Sequence, residues 1–179
     1  MINSIKITDL TTATHMSYRS TKKQNLWITT IDPEDKRKVL RIKRNLEADG
    51  VPHFVQYFRD WSDEDPEPFI VANLESQGPQ EQHVNNIISF LEPYVSSETE
   101  YNLGVNCLAG ISRSTAVGII AWVMSGKTPE EALKEILNVR IEAWPNLRIL
   151  RFASKRLGKD IVTPITDWKT NAKETLFGT

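Results

Sequence analysis

Cys107, the single cysteine of the chain, opens the run Cys107-Leu108-Ala109-Gly110-Ile111-Ser112-Arg113-Ser114. A sulfur nucleophile followed six positions later by an arginine, with a glycine between, is the residue set that cysteine-based phosphate-ester chemistry requires. The thiolate attacks phosphorus, and a planar guanidinium forks onto two phosphate oxygens. The backbone N–H groups of Leu108, Ala109, Gly110, Ile111, Ser112 and Arg113 can wrap the remaining oxygens as an anion nest. Gly110 gives that loop backbone angles closed to other residues. From Ser114 onward, Ala116, Val117, Ile119, Ile120 and Val123 predict a buried helix. Its positive N-terminal end points into the loop, where it favours both phosphate and a thiolate. The competing reading is a buried cysteine used as apolar filler. Glycine, serine, arginine and serine at fixed offsets, between a strand and a helix, argue for the chemical one.

A phosphocysteine route also needs an acid for the departing oxygen and then a base for water; one carboxyl group can serve as both in turn. The acidic run Asp60, Asp63, Glu64, Asp65, Glu67 follows a strand, and most of it reads as a solvated loop. Asp60 ranks ahead of Asp63 and Asp65, because it comes first after Tyr57-Phe58 and precedes Trp61. Ser112 reads as a loop-shaping hydrogen bonder, and Ser114 as a helix N-cap.

The elements that position these groups follow from periodicity. Ser4 to Asp9, Leu26 to Ile31, Val51 to Phe58 and Leu103 to Asn106 are strand candidates. Asp32-Pro33 starts a helix reaching about Asp49, with Val39, Ile42 and Leu46 on one face and Gly50 as the stop. Arg59 to Gly78 is a long acidic loop. Glu81 to Val95 is amphipathic through Val84, Ile87, Ile88 and Leu91, with Pro93 in its last turn. Thr128-Pro129-Glu130-Glu131 is a capping-box start, and a final helix runs from about Asn146 to Gly158. Strands alternating with helices predict a three-layer α/β fold. Its central, largely parallel sheet should have four to five strands, with Cys107 at a carboxyl end. The expected domain spans residues 1–158; residues 159–179 form a tail, docked or frayed.

Bulk properties bound the partners. The chain has 179 residues, 40% apolar composition and a net charge of −1, which suits one domain without whole-chain attraction to nucleic acid or membrane. The N-terminus lacks a secretory core, and the longest apolar stretch, Ala116 to Met124, is too short to span a bilayer. A lone cysteine suits a reducing, cytoplasmic setting. His15, His53 and His83 lack metal-ligand spacing, so neither metal nor cofactor is expected.

The segment from Val105-Asn106-Cys107 through Arg113-Ser114-Thr115 resembles the signature loop of the cysteine-dependent protein tyrosine and dual-specificity phosphatases. Within that superfamily it most resembles the small tyrosine-phosphatase-like proteins of bacteria and their phages. Weaker similarity runs from Ile5 to Gly158, including Leu26 to Pro33, His53 to Trp61, and Pro145-Asn146. The resemblance implies hydrolysis of phosphate monoesters on protein or peptide substrates through a phosphocysteine. It implies catalytic roles for Cys107, Arg113, Asp60 on a mobile loop, and Ser114 as a donor to the departing sulfur. It also leaves open a nucleotide, RNA 5′ end or inositol phosphate as substrate, or a non-catalytic phosphate-binding module. Where the family usually carries histidine before the cysteine, to order the loop and favour the thiolate, this chain has Asn106.

Overall fold

The computed structural model describes residues 1–16, 24–65 and 67–177. Pro66 of the acidic segment and residues 178–179 of the tail lie outside the described residues. In chain order the elements are β1 (Ile2–Thr8), α1 (Leu10–His15), β2 (Gln24–Ile31), a 3-10 turn (Pro33–Asp35), α2 (Lys36–Ala48) and β3 (His53–Tyr57). There follow α3 (Pro68–Gln77), α4 (Glu81–Val95), β4 (Tyr101–Asn106), α5 (Arg113–Met124), α6 (Pro129–Val139), α7 (Leu147–Leu157) and α8 (Val162–Phe177).

The described strands form one four-stranded sheet in the order β1-β4-β2-β3, with every pairing parallel. This is the α/β architecture expected from the alternation of strands and helices. The central strand β2 is buried on both faces from Leu26 to Ile31, whereas edge strand β3 is only half-buried. That contrast follows from helices covering both sides of a parallel sheet. On one face α1 and α2 bring Leu10, Ala13, Val39, Ile42 and Leu46 against Trp27 and Ile31. On the other, Ile88, Ile120, Ile136 and Leu150, from α4 to α7, pack with Ile28, Leu103 and Val105. Helix α5 is apolar all round, and all its residues from Arg113 to Ala121 are buried, as a central helix requires.

Three features depart from the sequence expectations. Residues 59–78 are not all loop, because Pro68 occupies the first turn of α3. Only Leu74 of that helix is buried, so no apolar stripe marks it in the sequence. Helix α1 was not anticipated; it is short and is started by Asp9, whose Oδ1 accepts from Thr12 N at 2.7 Å. The helix ending at Gly158 (φ 63°) is followed by another, α8, and Ile161 and Ile165 are fully buried in the main core.

Candidate active site

The site lies at the carboxyl ends of the strands. Asp32 follows β2, Asp60 follows β3 and Cys107 follows β4, while residues 8–10, at the end of β1 and just past it, lie against the loop. The signature loop is shaped by where its carbonyls go. Leu108 O accepts from Leu10 N at 3.1 Å, and Ala109 O from Arg140 Nη2 at 3.1 Å. Ile111 O accepts from Trp144 N at 2.9 Å, and Ser112 O from Ala116 N at 3.1 Å and Asn146 N at 3.3 Å. These four carbonyls are engaged by groups outside the loop, the pattern expected of a loop whose N–H groups serve an anion. Gly110 is required twice: its φ is +73°, and a Cβ there would lie 2.8–2.9 Å from backbone atoms of Thr8 and Asp9.

At the floor of the loop Cys107 is 1% exposed. Its Sγ lies 3.2 Å from Gly110 N, which donates to it, and 3.3 Å from Ser114 Oγ. Ser114 sits inside the first turn of α5, which begins at Arg113, so Ser114 is not the N-cap; Ser112 occupies that position without a side-chain capping bond. Instead Ser112 Oγ donates to Asp60 Oδ1 at 2.7 Å. Leu108 and Ala109 are exposed at the rim, and Ile111 is half-buried.

Arg113, also 1% exposed, is held edge-on. Its Nη1 donates to Asp32 Oδ1 at 3.0 Å and to the Phe58 carbonyl at 2.7 Å. Its Nε has no hydrogen-bond partner among the described residues and stands 3.5 Å from Asp60 Oδ2. Asp32, which reads in sequence as a helix start, is therefore part of the site. Nothing local reveals this, because its partner is 81 residues away.

Asn106 stands where the family usually has histidine, and its side chain is tied into the sheet. Its Oδ1 accepts from Trp27 Nε1 at 2.7 Å and from Thr29 Oγ1 at 2.8 Å. Thr29 in turn contacts His53 Nε2 at 3.2 Å. Burial, then the neighbouring charge of Lys43, holds the His53 pKa down at about 4, so this ring is neutral near neutrality. Trp27 fits because its ring lies on Gly104, where a Cβ would come within 2.0 Å of it.

The acidic segment is exposed at Asp63, Glu64 and Glu67, as its composition suggests, yet several of its carboxylates are paired. Asp60 is drawn to the signature loop by Ser112, and Asn146 Nδ2 donates to its Oδ1 and to Trp61 O, each at 3.1 Å. Asp63 Oδ1 pairs with Arg148 Nη1 at 2.9 Å and its Oδ2 with Arg151 at 2.8 Å. Glu64 pairs with Lys169 at 2.5 Å. Asp65 Oδ2 accepts from Ser62 N at 2.6 Å, a local turn bond. Of the three aspartates weighed in the sequence, Asp60 is the one beside Arg113 and Ser112; Asp63 faces α7 instead.

No protein-family model and no curated protein matches the chain. Solved structures do. Tk-PTP in its active form superposes with a TM-score of 0.54 at 15% identity, covering 86% of this chain and 90% of that one. Human DUSP28 gives 0.51 at 17%, covering 84% and 89%, and PTPMT1 in complex with PI(5)P gives 0.54 at 14%, covering 93% and 94%. The polypeptide thus has the fold of the cysteine-dependent tyrosine and dual-specificity phosphatases.

Proposed function

We propose that the protein hydrolyses phosphate monoesters on phosphorylated proteins or peptides, phosphotyrosine foremost, through a covalent phosphocysteine. The observation that carries this is the pair of polar groups at the Cys107 sulfur, Gly110 N–H, which donates to it, and Ser114 Oγ at 3.3 Å, which donates once the sulfur is a thiolate, beneath a loop whose carbonyls are engaged by the surrounding protein. Donors aimed at sulfur, at the N-terminal end of α5, stabilise negative charge there.

Each residue then has a defined part. The Cys107 thiolate forms the S–P bond as the ester P–O bond breaks. Arg113, with Nη1 fixed by Asp32 and Phe58 O, offers its Nε–Nη2 edge to two phosphoryl oxygens. The carboxyl of Asp60 gives its proton to the leaving oxygen, and the resulting carboxylate takes a proton from the water that attacks phosphorus. The S–P bond breaks as phosphate leaves, and Ser114 Oγ–H stabilises the departing thiolate. No step calls for a metal or cofactor. Working chemistry of this kind needs a reduced thiol, which suits the cytoplasm.

The PTPMT1 structure holds PI(5)P, which makes an inositol phosphate the comparison substrate. Leu108, Ala109 and Ile111 bring no cation to the loop, so Arg113 is its one cationic side chain, which favours a monophosphate over a polyanion. The test is turnover on a panel of phosphopeptide, nucleotide and phosphoinositide, with Cys107→Ser as control. Cys107-dependent release of phosphate from the phosphotyrosine peptide supports the reading. Release only from the phosphoinositide overturns the protein substrate, and no release from any member overturns the enzyme.

A further inference from the structure

The segment that carries Asp60 is fastened from the far end of the chain. Asn146, Arg148 and Lys169 reach it from the start of α7 and from α8, and they are 2%, 1% and 3% exposed. Lys169 is the distant one, 105 residues from Glu64. Its ammonium also lies 4.9 Å from the centre of the Trp144 ring, and Trp144 N holds the Ile111 carbonyl of the signature loop. A cleft of about 220 Å³ joins these parts, lined among others by Ser112, Asn146, Trp144, Lys169 and Glu64. Lys169 therefore bridges the acidic segment and the platform behind the signature loop.

An ammonium so placed is not there for burial alone. Burying a cation is costly unless it is paired, and an apolar side chain of similar length fills such a space at lower cost. Desolvation pulls the Lys169 pKa down, and the hydrogen bond and charge of Glu64 work against that shift. What the pair fixes is position: Glu64 lies four residues beyond Asp60 on the same segment, between Ser62, whose N–H is bound to Asp65, and α3.

We propose that Lys169 is a positioning residue for Asp60: through Glu64 it holds the acidic segment against the signature loop, so that the Asp60 carboxyl stays beside Ser112 and Arg113. The proposal rests on the phosphocysteine reading above and extends it to the tail. Helix α8 then belongs to the working unit, and the loop that the resemblance made mobile is fastened shut.

The experiment compares wild type, Lys169→Met, Glu64→Gln and the double variant on two esters, a phosphotyrosine peptide and an aryl phosphate with a strongly activated leaving group. Methionine keeps the length of the stem and its contact with Trp144 while removing the charge. Misplacing an acid costs rate only where the leaving oxygen needs its proton. The expected result is a fall in kcat of about 5–50-fold on the phosphopeptide and under about 2-fold on the activated ester. The double variant should be no worse than the poorer single one, since both remove the same bond. Equal losses on both esters, or no loss on either in folded variants, overturn the proposal and leave the phosphocysteine reading standing. Wild type that turns over neither ester overturns both. If Lys169→Met fails to fold, Glu64→Gln, on the surface side of the bond, decides the matter by the same ratio of the two rates.

Discussion

Asn146 and Asp60 are 86 residues apart in the chain, and the Asn146 side-chain amide donates to Oδ1 of Asp60 at 3.1 Å. The same amide donates to Trp61 O, and the Asn146 Oδ1 accepts from Ile149 N at 3.2 Å to cap α7. One side chain thus fixes both a helix start and the orientation of a carboxyl group. Asp60→Asn should slow hydrolysis of a phosphotyrosine peptide by about 10²–10⁴. It should spare an ester with an activated leaving group. Asn146→Ala should show the same selectivity more weakly, together with a loss of about 1 kcal/mol from the missing cap. Steady-state rates across a series of leaving groups check both; a flat series for Asp60→Asn would remove it as the acid.

Asp63→Asn should behave differently. Its carboxylate neutralises Arg148, whose other partners are Glu75 and the Pro79 carbonyl. Weakening that pair leaves a buried guanidinium short of a partner, which costs about 1–3 kcal/mol. The expected outcome is a lower midpoint in urea, with no dependence of rate on the leaving group. A leaving-group effect here and none at Asp60 would move the acid by three residues.

Cys107→Ser should abolish turnover while phosphate-ester binding persists, because Arg113 and the loop N–H groups are untouched. Calorimetric titration with a phosphopeptide measures the binding. Loss of binding together with turnover would mean that the sulfur holds the loop in shape, through Gly110 N and Ser114 Oγ, as well as attacking.

Arg113→Lys should lose most activity although the charge remains. An ammonium cannot bind Asp32 and Phe58 O on one side while offering two parallel donors on the other. Asp32→Asn tests the holding partner: kcat/KM should fall by about tenfold or more, reflecting a guanidinium freed to turn. An Asp32→Asn enzyme with unchanged kcat/KM would reduce this ion pair to packing.

Stability should fall as pH drops below about 6.5, the ordinary histidine value. The folded pKa of His53 is held down at about 4, by burial and then by Lys43, and burial lowers that of His83. Between pH 4 and 6.5 the unfolded chain binds the His53 proton and the folded chain does not, so acid favours unfolding, by up to about 3 kcal/mol from His53 alone. His53→Gln should flatten that part of the curve of unfolding free energy against pH. An unaltered slope would show that His53 takes its proton readily in the folded state.

Local chemistry was legible in the sequence, and long-range partnership was not. The strand-loop-helix around Cys107 shows because Cys107, Gly110 and Arg113 are near neighbours, and the apolar run of α5 has no competing periodicity. The parallel sheet shows because strand candidates alternate with the clear stripes of α2 and α4 and with the apolar run of α5. Asp32 and Asn146 were visible as helix starts, their commonest use, while their second partners lie 81 and 86 residues away. Helix α8 carries a weak stripe, and Lys169 reads as one more surface cation until folding buries it against Trp144. In the acidic segment, composition suggested solvent; the cations that claim Asp63 and Glu64 come from α7 and α8.

The signature loop touches the end of every strand in the sheet. Leu10 N, just past β1, holds Leu108 O; Asp32, past β2, and Phe58 O, past β3, hold Arg113; and Cys107 extends β4. An anion gripped by this loop is consequently gripped by the whole sheet, and no strand can peel away while leaving the grip intact. Occupancy and global unfolding are then linked. Phosphate or vanadate at a hundred times its dissociation constant should raise unfolding free energy by about 2.7 kcal/mol. Amide exchange should slow together in all four strands, the edge strands β1 and β3 included, as one cooperative unit.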